Sequence, residues 1–238
     1  MATITERDLA ATLDHAILKP ELTRDQVDAE LDIAAEWGVF SVCVRPSDIA
    51  HAVSRLAGTG VAVGTVIGFP HGTTSTAAKV AEVRQALADG ATEVDMVVNI
   101  GALRSGFDDV VTDDIRAVVE AASGRITKVI LETAYLDDEQ IARGSRLTEA
   151  GGAHFVKTST GFAGGGATVE HVRLMRENVG PDVQVKASGG VRSYADALAM
   201  LEAGATRLGT SGSAVILGEA RRVDAGERAT GAVDASSY

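Results

Sequence analysis

The chain has 238 residues, 45% of them hydrophobic and 23% charged, which excludes a wholly disordered polymer and allows a sizeable core. Its 22 Lys+Arg against 33 Asp+Glu leave a formal charge of −11, a surface that repels phosphate backbones and argues against nucleic-acid binding. A small anionic substrate would need a local cluster of donors to hold it.

The single cysteine, Cys43, permits no internal disulfide and suggests no zinc cluster; a reducing cytoplasm fits it. The N-terminal MATITERDLA lacks a basic flank followed by an apolar core, so no signal peptide is expected. No apolar run approaches the ~18 residues that span a membrane.

After a short N-terminal helical segment, apolar and β-branched runs recur at 12–17, 40–44, 61–67, 93–98, 127–131, 154–158, 183–187 and 207–209. Amphipathic stretches of helical period lie between them. The clearest are AAKVAEVRQALADGA and YADALAMLEAGA, each with a Gly stop before the next strand. Strand and helix alternating about eight times predict a single α/β domain, a (β/α)8 TIM barrel over 1–220, with a flexible tail over 221–238. An open doubly wound sheet is the runner-up, but the first strand has no Gly-rich turn after it.

Lysine is scarce: Lys19, Lys79, Lys128, Lys157 and Lys186. Lys157 and Lys186 each end an apolar strand, in HFVKTST and VQVKASGG, and alternation can turn both into the barrel mouth, where active sites lie. Snorkelling to the rim is the plain alternative for either one alone. A free lysine is only roughly 0.04% neutral at pH 7. A second ammonium about 6 Å away, at effective dielectric ~20, disfavours the charged form by about 2.8 kcal/mol and lowers the pKa by about 2; desolvation adds to this. Such a pair suits Schiff-base chemistry on a carbonyl. Asp95 and Asp14 are acids inside apolar strands, readable as proton relays or as counter-ions of buried lysines.

ASGGVR follows the seventh strand and GTSG the eighth, where barrels commonly bind phosphate through backbone N–H groups. Gly189, Gly190, Arg192, Gly209, Ser211 and Gly212 are the candidates, and STGFAGGGAT after Lys157 is placed to close over a sugar. Plain turns remain the alternative. The five histidines are not spaced as ligands, so no metal is expected. Cys43 reads as a core residue.

LDHAIL, EVDMVVNIGAL, VKTSTGF, VKASGGVR and GTSG, in this order, resemble the deoxyribose-phosphate aldolase family from about Leu13 to Gly212. The resemblance implies a class I barrel aldolase that needs no cofactor. Its substrate would be 2-deoxy-D-ribose 5-phosphate, a sugar phosphate, and its products glyceraldehyde 3-phosphate and acetaldehyde, in nucleoside catabolism. It places the Schiff-base lysine at Lys157, the proton-handling aspartate at Asp95 and the perturbing lysine at Lys186. The phosphate loops fall on Gly189, Gly190, Gly209, Ser211 and Gly212, the last often Ser in relatives. Ala16 stands where relatives usually carry Thr, and the terminal Tyr238 resembles a tyrosine that reaches the active site in some of them. A homodimer is possible. Another Schiff-base sugar-phosphate aldolase or transaldolase, and a non-catalytic sugar-phosphate-binding barrel, stay open.

Overall fold

The computed structural model describes residues 4–235. Eight parallel strands close into one barrel in sequence order. They are β1 Leu13–Ile17, β2 Ser41–Val44, β3 Ala62–Ile67, β4 Glu93–Val97, β5 Ile126–Ile130, β6 Phe155–Lys157, β7 Gln184–Ser188 and β8 Arg207–Thr210. Every bound lies within one residue of the run read from the sequence. β8 pairs with β1, Leu208 opposite Leu13, so the sheet has no edge and the open alternative is excluded.

Around the barrel lie α1 Glu6–Ala10, α2 Arg24–Trp37, α3 Ile49–Arg55, α4 Thr76–Ala88, α5 Ile100–Arg104, α6 Asp108–Ala121, α7 Asp138–Ala150, α8 Val169–Glu177, α9 Tyr194–Glu202 and α10 Ser213–Asp224. The two clearest helical stretches become α4 and α9. Ser75 caps α4 by accepting from the Ala78 N–H, and Ser193 and Asp196 form a capping box at α9. The turn after α9 places Gly204 at φ +110°, a conformation that penalises a Cβ.

Strand side chains alternate, and the two faces differ sharply. Val42, Val94, Met96, Val156, Val185 and Leu208 point outward into one apolar sleeve with helix residues such as Leu31, Val83, Ile115 and Leu217. Each such side chain contributes about 1.5–3 kcal/mol by burial. The inner face instead carries Asp14, Glu93, Asp95, Lys128, Lys157, Lys186 and Arg207, all buried. Register puts Asp95 beside Lys128, Lys157 beside Lys186, and Lys186 beside Arg207.

α10 ends at Asp224, a few residues past the boundary expected at 220. Beyond it, Thr230 donates through its N–H and hydroxyl to Glu219, and Val233 bridges Ser193. The Asp234 N–H donates to the Arg192 carbonyl at 2.9 Å, which brings this segment back against the turn after β7.

Candidate active site

β6 ends on Lys157, at the C-terminal mouth of the barrel, and β4 places Asp95 across from it. Asp95 Oδ2 accepts from Lys157 Nζ at 2.8 Å and from Lys186 Nζ at 2.9 Å, so one carboxylate oxygen joins the two lysines at the same end of the barrel. Asp95 Oδ1 accepts from Lys128 Nζ at 2.8 Å. Lys186 also pairs with Asp14 Oδ2, whose other oxygen accepts from Ser41 Oγ at 2.7 Å and Arg207 Nε at 2.8 Å. Below this layer Glu93 Oε2 accepts from Lys128 Nζ at 2.5 Å and Arg207 Nη2 at 3.0 Å. The guanidinium of Arg207 stacks 3.6 Å from the Phe40 ring centroid.

The expectation of two opposed ammonium groups is therefore incomplete. Burial is the strongest influence pushing the Lys157 amine below its ordinary pKa; Asp95 opposes it, and Lys186 adds to it. Lys186 goes the other way. Burial disfavours its charge, but Asp14 and Asp95 outweigh that and raise its pKa. Lys128 is likewise held above its ordinary value against burial, by Asp95, Asp14 and Glu93. For Asp95, burial favours the neutral acid, yet Lys128, Lys157 and Lys186 together hold its carboxyl well below the usual range. Asp14 is depressed in the same manner, burial being outweighed by Lys186, Lys128 and Arg207. Of these lysines, Lys157 alone is shifted toward the neutral amine.

A slot of about 20 Å³ opens at this point, room for one water-sized group. Asp14, Ala16, Cys43, Lys157, Thr160, Lys186, Ser188, Gly189, Gly209 and Ser211 are among the residues that line it. Cys43 thus faces the slot, although burial pushes its thiol up to about 11 and keeps it protonated. A larger cleft of about 310 Å³ lies across the rim, lined by Pro70, Arg104, Tyr135 and Phe162 among others. It shares only Thr160 with the slot and holds none of the lysines, so size alone would misplace the chemistry.

The loop candidates divide. Gly189, Gly209 and Ser211 line the slot, and the Ser211 and Ser159 hydroxyls are buried with no hydrogen-bond partner among the described residues. Gly190 and Arg192 are exposed beside the slot and do not line it. The Gly212 N–H already donates to Thr210 Oγ1 at 2.9 Å, and a Cβ there would lie 2.7 Å from that of Asp234. The loop after β6 is tied to the loop after β7: the Ala167 N–H donates to the Gly189 carbonyl at 2.8 Å. A Cβ on Gly166 would meet that carbonyl oxygen at 2.2 Å, so only Gly permits the approach. Tyr238 lies outside the described residues.

The sequence reading leaves out Lys128, Glu93 and Arg207 as members of the cluster, though a signal exists, since each places a charge within or at the start of an apolar strand. Glu132 was missed as well. It follows β5 in a left-handed conformation (φ 58°), and its carboxylate accepts from the Thr160 N–H at 3.2 Å and from the Thr160 hydroxyl, fixing the loop after Lys157. Among the described residues no group of His, Cys, Asp and Glu is arranged to hold a metal ion, and no helix is long and apolar enough to cross a membrane.

The same lysines sit in a chain with close relatives. Over 208 residues it is 55% identical to deoxyribose-phosphate aldolase 2 of Staphylococcus aureus (strain MRSA252), covering 87% of this chain and 94% of the relative. Deoxyribose-phosphate aldolase 1 of the same strain is also 55% identical, over 86% of this chain and 93% of the relative. The tetrameric deoxyribose phosphate aldolase of Aeropyrum pernix superposes with a TM-score of 0.85 at 31% identity, covering 92% of this chain and 93% of that one. The model of the DeoC/LacD family aldolase matches residues 9–219, nearly the whole barrel, and the chain therefore belongs to that family of aldolases.

Proposed function

We propose that the protein is a class I aldolase that reversibly cleaves 2-deoxy-D-ribose 5-phosphate into D-glyceraldehyde 3-phosphate and acetaldehyde through a Schiff base on Lys157. One observation carries this reading: Lys157 is a buried amine shifted toward neutrality, at the slot, sharing a carboxylate oxygen with a lysine that stays charged. The relatives named above act on the same substrate class by name.

The neutral Lys157 amine attacks C1 of the open-chain sugar, and loss of water leaves an iminium. The iminium accepts the electron pair of the C2–C3 bond as that bond breaks. The proton of the C3 hydroxyl leaves through a relay of water, Asp95 and Lys186, whose shared oxygen can pass a proton between the two amines. Glyceraldehyde 3-phosphate departs and an enamine of acetaldehyde remains on Lys157. Protonation at C2 and hydrolysis release acetaldehyde. Asp14 holds Lys186 charged and in place. The slot admits only the reacting end, so the phosphate lies along its rim at Gly189, Gly209 and Ser211; Gly190 and Arg192, exposed next in the chain, extend that rim, while the buried Gly212 N–H is already bonded to Thr210. That remote binding orients the aldehyde.

The test is borohydride reduction during turnover. An N-ethyl adduct mapped to Lys157 supports the reading, and saturable sugar-phosphate binding without an adduct supports a binding module instead. A panel of sugar phosphates assayed for acetaldehyde release separates this activity from other Schiff-base aldolases and transaldolases. Tyr238 is assigned to C2-proton transfer; its deletion with unchanged turnover and unchanged C2-proton exchange removes it. A cytoplasmic homodimer completes the reading, checked by fractionation and by light scattering.

A further inference from the structure

We propose that Glu93 and Arg207, at the end of the barrel away from the slot, set the charge on Lys157 by fixing the ionic balance of the buried cluster. Glu93 and Arg207 are the first residues of β4 and β8, whereas Lys157 is the last of β6. Neither lines the slot, so they are positioning residues that act through the field. The inference rests on Lys157 being the reactive amine.

Four cationic side chains, Lys128, Lys157, Lys186 and Arg207, meet three carboxylates, Asp14, Glu93 and Asp95, and all seven are at most 5% exposed. Uncompensated charge is costly in such an interior, so the cluster carries one proton too many. Arg207 cannot release it, because a guanidinium stays protonated. Lys186 touches both Asp14 and Asp95, and Lys128 touches both Glu93 and Asp95. Lys157 touches Asp95 alone and opens on the slot. The surplus proton is therefore that of Lys157, and losing it leaves three cations against three anions.

Other groups facing Lys157 do not change this count. From β2, Cys43 is held protonated by burial, and β3 contributes no titratable side chain. From the rim, the Glu132 carboxylate is bonded to Thr160 and not to the cluster, and it is common to every variant compared, so it displaces all midpoints alike. Glu93 and Arg207 enter the count with opposite signs. Removing Arg207 balances the cluster with Lys157 still an ammonium, so its amine deprotonates at higher pH. Removing the Glu93 charge leaves a larger cationic excess, so Lys157 deprotonates at lower pH. One elementary charge roughly 10 Å away, at effective dielectric ~20, is equivalent to about one pH unit.

The experiment follows dimethylation of Lys157 by formaldehyde and cyanoborohydride across pH, quantified by peptide mass spectrometry. Wild type, Arg207→Met, Arg207→Lys, Glu93→Gln and the Glu93→Gln/Arg207→Met double variant are compared. The expected midpoint rises by about one pH unit in Arg207→Met and falls by a similar amount in Glu93→Gln. It returns to the wild-type value in the double variant and in Arg207→Lys. Damage to packing alone would accumulate in the double variant instead of cancelling. Midpoints that coincide in folded wild type, Arg207→Met and Glu93→Gln overturn the proposal, as does a double variant that fails to return. Glu93→Gln preserves shape and carries the test alone if Arg207→Met does not fold. The labelling needs no substrate, so it is separable from the aldolase reading. Shifted midpoints with no N-ethyl adduct sink only that reading, and an adduct with unmoved midpoints sinks only this one.

Discussion

Two buried lysines of this molecule do opposite things. Lys79, on α4, donates to Asp114 Oδ2 at 2.6 Å and to the Val97 carbonyl at 2.9 Å; Thr76 Oγ1 donates to the other oxygen of Asp114 at 2.7 Å. One cation meets one anion, both oxygens of Asp114 are engaged, and the pair staples α4 to α6. Lys157 meets a carboxylate that it shares with two other lysines, beside a slot that admits a reacting atom. Burial alone therefore does not make a lysine chemical. An unequal number of opposite charges, with an opening at the least compensated one, does.

Truncating the two lysines in parallel should give opposite losses. Lys157→Leu is expected to lose acetaldehyde release by more than about 10⁴-fold and to abolish borohydride trapping. Lys79→Leu should retain the trapping rate per folded molecule while losing about 3–5 kcal/mol of stability in urea, because Asp114 is left uncompensated. Loss of trapping in folded Lys79→Leu would erase the distinction. Next in size, Asp95→Asn and Lys186→Leu are each expected to lower kcat by about 10²–10⁴-fold. Lys186→Leu should also move the rising limb of the pH–rate profile to higher pH, since a cation beside Lys157 is gone while Asp95 remains. A wild-type rate for Lys186→Leu at pH 7 would remove it from both roles.

Acid and base act on different members of the cluster. The carboxyls of Asp14 and Asp95 are held below their unfolded values in the fold. Their contribution is therefore complete above the unfolded aspartate pKa of about 3.9 and is lost as pH falls below it. Acid melts should show an unfolding midpoint that moves to higher pH in Lys186→Leu, which removes a cation holding both carboxyls down. Catalysis runs on the other limb: attack needs neutral Lys157, so the rate should rise with pH toward a midpoint below the ordinary lysine value. The smallest effect is expected at Ser211. Ser211→Ala removes a buried hydroxyl at the rim that has no partner among the described residues, and it should raise KM about 10-fold, as expected for one hydrogen bond to a charged group, with kcat nearly unchanged. An equal effect on an unphosphorylated substrate would argue that Ser211 does not meet phosphate.

Much of this site is legible in the sequence. Lys157 and Lys186 stood out because a charge at the C-terminal end of an apolar strand is a local anomaly, and alternation alone says that it shares a face with Ser159 or Ser188. Asp14 and Asp95 stand out as acids inside apolar strands. Lys128, Glu93 and Arg207 carried a similar anomaly but sit at or near strand starts, where a charge also reads as the polar end of a loop. Cys43 reads as core because it ends an apolar strand; only its place on the inner face puts it at the slot. Two ammonium groups alone give the right direction for Lys157 but leave out Asp95, whose carboxylate lies between them and offsets their repulsion.

The order and length of the strands, the helix stops and the alternation of charged and apolar faces follow from the sequence by itself, because propensity, capping and side-chain period act over a few residues. Which charges meet is a property of closure. Asp95 is 62 residues from Lys157 and 91 from Lys186, and Asp14 is 193 from Arg207. Bringing eight strands into one ring converts those separations into contacts, and the dry interior makes an imbalance of a single proton consequential.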